Sequence, residues 1–220
     1  MRQSGFHKVL LVWRKEVVCG LRFKAVWAVM LMFALTTLAC VSLALGGAAL
    51  TPPLLAALLW IILFFAAMVG LEHSFADEAA SGTLLALRVY GPAQAVLFGK
   101  IFYVFCLLLG MALAIVPLFL VLLDALPVYA GTFLAVLAAG LWGIAAAGTL
   151  VAAIASSTAV QGGLFSILLL PVILPLFLPA ISLTSAAFGG GDLSGAMLAS
   201  MLCYDAAVTA GASILFDYVW

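Results

Sequence analysis

Residues 101–123 read IFYVFCLLLGMALAIVPLFLVLL, bounded by Lys100 and Asp124. None of these 23 side chains is charged. A helix rises 1.5 Å per residue, so about 20 apolar residues cross a hydrocarbon core of ~30 Å. The run is long enough to span a bilayer. Outward from it, five more runs qualify: Ala25 to Leu45, Leu54 to Leu71, Gly131 to Ala155, Gly163 to Leu183 and Ala196 to Phe216. Six spans nearly fill the 220 residues, which read as one membrane domain over 1–220 with no soluble domain attached. Composition agrees. The chain is 68% hydrophobic and 7% charged, whereas a soluble domain carries roughly 25% charged residues. A soluble chain this apolar has too few polar groups to cover its surface. A water-soluble globule, a disordered chain and a secreted disulfide scaffold are excluded. In lipid every backbone amide must be bonded within its segment, which favours helices over open strands. The expected fold class is an all-α integral membrane protein.

Net charge is zero, so the position of the charges carries the information. Arg2, Lys8, Arg14, Lys15, Arg22 and Lys24 precede the first span, and Arg88 and Lys100 lie between the second and third. The connections at 46–53, 124–130 and 184–195 hold no basic residue. Basic residues stay on the cytoplasmic side, which places both termini there and gives three hairpins. A cleaved signal peptide is the competing reading of the N-terminus, but the lead is too long and the first apolar run reaches spanning length. No basic run interleaved with aromatics points to nucleic acid. Cys19, Cys40, Cys106 and Cys203 lack C-x-x-C spacing, so neither a disulfide framework nor a zinc site follows.

Before the first span, Phe6, Val9, Leu10, Trp13 and Val17 recur at three- and four-residue steps, with Lys8, Lys15 and Arg22 opposite. This predicts an amphipathic helix over 1–24 along the cytoplasmic interface. Its plain role is a topology anchor; contact with a cytoplasmic partner is the sharper one. His7 reads as a solvated or headgroup-facing side chain rather than a ligand.

Between the second and third spans the chain turns polar: Glu72-His73-Ser74-Phe75-Ala76-Asp77-Glu78-Ala79-Ala80-Ser81-Gly82-Thr83-Leu84-Leu85-Ala86-Leu87-Arg88. Three of the eight acids sit here. Gly82 can end one short helix, Thr83 can cap another, and Gly91-Pro92 breaks the chain before the next. Leu84 and Leu87, with Arg88 beside them, offer a small apolar face suited to a groove in another protein. An ordinary interfacial loop with its acids in water is the plainer alternative.

Glu72, Asp77-Glu78, Gly82-Thr83-Leu84, Gly91-Pro92 and Gly99-Lys100 resemble the cytoplasmic signature of ABC-2 export permeases. Chain length, six spans and the lack of a large periplasmic insertion resemble, more narrowly, the haem exporter protein B (CcmB) family. Val116-Pro117-Leu118-Phe119 is similar to that family's apolar "PL" segment, and Leu170-Pro171-Val172-Ile173-Leu174-Pro175 with Pro179 to its proline-rich helix. The chain departs at Ala76, Ala79 and Ala80, where the family tends to carry charged residues.

The resemblance implies the permease subunit of an ABC complex for haem export or delivery in c-type cytochrome maturation, in a bacterial inner membrane. A separate CcmA-like ATPase supplies ATP hydrolysis. CcmC-like and CcmD-like membrane proteins handle haem, a periplasmic haem chaperone receives it, and a second copy of the chain is a further partner. Segment 72–100 becomes the coupling loop, with Glu72, Phe75, Asp77, Glu78, Gly82, Thr83, Leu84, Leu87 and Arg88 on the ATPase. Haem is cargo of the complex, and the chain holds no cofactor, metal or catalytic residue of its own. A generic ABC-2 exporter and a non-transporting scaffold are the alternatives. The chain lacks the phosphate cradle G-x-x-x-x-G-K-[ST]: its one Gly-Lys pair, Gly99-Lys100, is followed by Ile101, and Gln94 stands where the first glycine belongs.

Within the bilayer, Pro171, Pro175 and Pro179 recur every four residues and predict a kinked helix. It serves either packing or a hinge near the periplasmic exit. Ala135, Ala139, Gly143 and Ala147 form a small-residue stripe for close helix approach. Asp205 falls in the sixth span, where a charge costs at least ~2.5 kcal/mol, so it should face protein or water, lie near an interface or be protonated. Gly189-Gly190-Gly191-Asp192 and Tyr204-Asp205 also match intramembrane aspartyl protease motifs, but in reversed order and with Asp192 in a loop. His73 and His7 are the only histidines, and both are expected on the cytoplasmic side.

Overall fold

The computed structural model describes residues 5–22, 24–81, 92–156, 164–189, 191–192 and 194–219. All regular structure among them is helical: α1 (Gly5–Arg22), α2 (Lys24–Leu45), α3 (Pro52–Ser81), α4 (Ala93–Leu122), α5 (Ala130–Ser156), α6 (Leu164–Ala187) and α7 (Gly195–Val219). Six of the seven, α2 to α7, are long and apolar enough to cross a membrane. Their bounds follow the hydropathy reading to within a few residues at most ends. Between α2 and α3 the chain reverses through Gly46 and Gly47, at φ 55° and 87°, a backbone region that glycine enters without a Cβ penalty. Pro52 then opens α3 at the position where a missing N–H costs nothing.

The bundle is built around α5, the most covered span, which packs against α3, α4, α6 and α7. Small residues make this possible. A Cβ added at Gly140 would fall 2.1 Å from Trp60 Cη2, and one at Gly148 2.5 Å from Leu71 Cδ1. Trp60 of α3 is fully buried and its indole N–H donates to the Thr184 hydroxyl of α6 at 3.0 Å. Phe177 stacks edge-on against Phe64 at 5.3 Å and lies 6.3 Å from the Trp60 ring. One indole thus ties α3, α5 and α6 together. The outermost spans are α2 and α7.

Gly140→Ala should lower stability by about 1–3 kcal/mol, because the indole it meets cannot give way without losing Thr184. Gly131, also in α5, has nothing within 4 Å of an added Cβ. Gly131→Ala should therefore leave the thermal midpoint of the detergent-solubilised chain unchanged or slightly raised. Equal midpoints for the two variants would contradict this packing.

Candidate functional site at one end of the bundle

The apolar part of α3 ends at Leu71, but the helix continues to Ser81. Ten further residues add about 15 Å of rod. No glycine or proline interrupts 72–81, and Gly82 follows directly. Glu72, Phe75, Asp77 and Glu78 therefore stand on helical backbone rather than in a loop. Across the bend, Pro92 is extended (φ −64°, ψ 138°) and α4 starts at Ala93. Of the coupling segment 72–100, residues 72–81 and 93–100 are thus helix. Hydropathy marks where lipid contact stops, not where backbone hydrogen bonding stops. Gly82, Thr83, Leu84, Leu87 and Arg88 lie outside the described residues, as does the whole stretch 82–91.

At this end of the bundle α1 packs along the first turns of α4. Its contact row is Val9, Val12, Trp13, Glu16 and Gly20. A Cβ at Gly99 would lie 2.7 Å from Val12 Cγ1 and 3.3 Å from the Val9 carbonyl; one at Gly20 would strike the Tyr103 hydroxyl. Trp13 meets Phe102 edge-on at 5.7 Å. Leu10, on the apolar stripe, is 48% exposed, and Leu11 and Val18 are exposed too, a face left free for lipid. Glu16 is 5% exposed, accepts a hydrogen bond from Lys15 Nζ at 3.1 Å and sits 3.8 Å from Lys100 Nζ of α4. Glu16 is the single acid in the first 71 residues, set among six basic ones, and that isolation was its signal in the sequence.

Gly99-Lys100 consequently seats α1. Lys100 is 3% exposed inside α4, whereas a phosphate cradle needs a loop with free backbone N–H groups. The pair cannot hold a nucleotide.

Deeper in the bundle, α6 stays helical through Pro171, Pro175 and Pro179. Pro171 and Pro175 are exposed and Pro179 is half-buried, while Ile173, Leu176 and Ala180 face the core. The Tyr204 hydroxyl of α7 donates to the carbonyl of Val172, three residues before Pro175. The carbonyl that Pro175 leaves without a backbone donor is that of Pro171, so this bond is an added tie between α7 and α6 rather than a replacement for the lost one. Next to Tyr204, Asp205 is 6% exposed, and its Oδ1 has no hydrogen-bond partner. That oxygen rests over Gly143 of α5, 2.3 Å from where a Cβ would be. Asp192 is exposed outside the helices and makes no hydrogen bond to Asp205 Oδ1, so the two carboxylates do not form a proton-sharing dyad. Of the small-residue stripe in α5, Gly143 and Ala147 are buried within the subunit, Ala139 is half-buried and Ala135 is exposed.

The Glu16–Lys100 pair makes a testable anchor. Removing one partner of a buried pair typically costs about 3–5 kcal/mol, whereas replacing both with apolar groups is near neutral. Glu16→Leu or Lys100→Met alone should expose α1 to protease in the detergent-solubilised chain. The double variant should recover most of the protection. Additive loss in the double variant would mean that the two side chains do not act as a pair.

Comparison with curated proteins gives no match. The family model described as CcmB protein matches residues 7–216, from the first turn of α1 to the last turns of α7. The match takes in the amphipathic α1, all six spans, the α3 extension and the Gly99-Lys100 seat. A multi-pass helical membrane protein matched along nearly its whole length in this way belongs to the CcmB protein family.

Proposed function

We propose that this chain is the membrane-embedded permease subunit of an ABC-type complex that exports or delivers haem during c-type cytochrome maturation. A CcmA-like ATPase grips the segment at the end of α3. The observation that carries the reading is the ten-residue helical extension of α3 beyond its apolar stretch. A rod continuous with a spanning helix transmits force, because pushing its tip moves the buried part; a floppy loop would not. Family membership supports the haem context. The basic residues support a cytoplasmic position for this end, since Arg88 and Lys100 share it with the six of the N-terminal stretch. Both termini are then cytoplasmic, in the inner membrane of a bacterium. Haem-handling CcmC-like and CcmD-like proteins complete the assembly in the membrane, and the periplasmic chaperone receives its product.

In this reading the chain's own residues do mechanical work. Glu72, Asp77 and Glu78 present acids on the rod, and Leu84 and Leu87 supply the apolar plug that seats in the ATPase groove. Glu16 and Lys100 hold α1 against α4, so the second helix of the hairpin is braced where the push arrives. The binding and splitting of ATP belong to the partner.

Leu84→Asp or Leu87→Asp should reduce co-purification with the ATPase subunit to background while the chain still inserts in the membrane. Unchanged co-purification would remove the coupling role. Absence of haem pigment and of cytochrome c deficiency in the same strains would favour a generic exporter instead.

A further inference from the structure

The apolar residues of α1 meet two different environments. Val9, Val12 and Trp13 pack on α4 at Gly99 and Phe102, with Glu16 and Gly20 beside them at Lys100 and Tyr103. At 3.6 residues per turn, Leu10, Leu11, Arg14 and Val18 share an arc of about 100° on the opposite side of the helix. All four are exposed. Three large apolar side chains grouped around one arginine are costly to leave in water.

Depth decides what this face meets. The contacts of α1 on α4 take up roughly 16 Å of α1, from Val9 to Gly20, but only about 6 Å along α4, from Gly99 to Tyr103. α1 therefore crosses the spanning helix obliquely and stays level with the start of the uncharged run 101–123. Phe102, which Trp13 meets, is 42% exposed within the apolar stretch of α4. The outward side of α1 thus adjoins a lipid-facing side of the bundle at the edge of the hydrocarbon.

Charge narrows the class of lipid. The stretch before the first span carries six basic residues and one acid, Glu16. Glu16 is buried beside Lys15 and Lys100, so no carboxylate of α1 reaches the surface. Arg14 stands within the apolar arc, and its long side chain lets the guanidinium rise from there to the level of the lipid phosphates. Helix positions 8, 15 and 22, at the edge of the arc, are Lys8, Lys15 and Arg22. A choline headgroup already neutralises its own phosphate; an acidic headgroup leaves a net negative charge for these residues to meet.

We infer that the outward face of α1 binds acidic phospholipid: Leu10, Leu11 and Val18 enter the acyl boundary, and Arg14 takes a lipid phosphate beside them. α1 is then held from two sides, by α4 through the Glu16–Lys100 pair and by the leaflet through Arg14. The inference concerns this lipid contact alone and stands whether or not residues 72–100 couple to an ATPase.

The test places the full chain, with an environment-sensitive fluorescent amino acid in place of Leu11, in lipid nanodiscs. One set holds phosphatidylcholine alone and the other equal parts of phosphatidylcholine and phosphatidylglycerol. In each, phosphatidylcholine brominated along its acyl chains serves as the quencher. The lipid-seated population should be favoured in the mixed discs, by about fivefold for each basic residue that reaches a phosphate. Salt at about 1 M, where the Debye length is about 3 Å, should remove the difference. Arg14→Gln should lower the preference about fivefold. The lipid and salt comparisons use the chain with its native charges, so they decide the inference even if Arg14→Gln is unstable. Equal seating in the two lipids, or a preference that Arg14→Gln leaves whole, overturns the inference. So does a reporter that stays unquenched in both, since the face would then lie in water, open to a soluble partner.

Discussion

Inside a bilayer a polar group must find its partner within the protein, because neither water nor lipid tails will serve. That constraint orders this structure from the backbone outward. It makes every span a helix. It turns the Trp60 indole toward Thr184 and the Tyr204 hydroxyl toward the carbonyl near Pro175. It folds the hydroxyls of α2 and α7 back onto their own helices. It also brings Glu16 of α1 to within 3.8 Å of Lys100. Among the described residues three buried atoms depart from this pattern: Trp13 Nε1, Thr149 Oγ1 and Asp205 Oδ1.

Two places in the molecule depart from a plain apolar bundle. One end gathers α1, the extension of α3 and the start of α4. There Gly99 admits Val12 and Lys100 meets Glu16, so residues that resemble a permease signature also hold the bundle's outermost helix in place. The other feature lies at mid-depth on the rim, where a small-residue face and a carboxyl adjoin.

The spans were legible because long apolar runs have a single outcome in lipid. Ala25 to Leu45 was read where Lys24–Leu45 is found, and Ile101 to Leu123 where Ala93–Leu122 is found. The second of these shows the limit. Lys100 bounds the apolar run, while the helix itself starts after Pro92, where the Gly91-Pro92 break was expected, and holds Lys100 buried beside Glu16. A short helix ended by Gly82 was expected in this segment; that it runs unbroken from the span above was not legible, although alanines between the acids at 72, 77 and 78 favour helix. Gly143 was assigned to a packing stripe, but no pattern within α5 could reveal that the oxygen above it comes from Asp205. Periodicity finds the apolar stripe of α1 but not the buried Glu16 that meets Lys100.

The Trp60–Thr184 bond joins residues 124 positions apart. A ribosome adding about 5–20 residues per second needs roughly 6–25 s to make that stretch. For this interval the half-finished chain sits in the membrane with its largest buried ring facing an empty slot and an indole proton unclaimed. The tie between α3 and α6 can therefore form only once the penultimate span has been made.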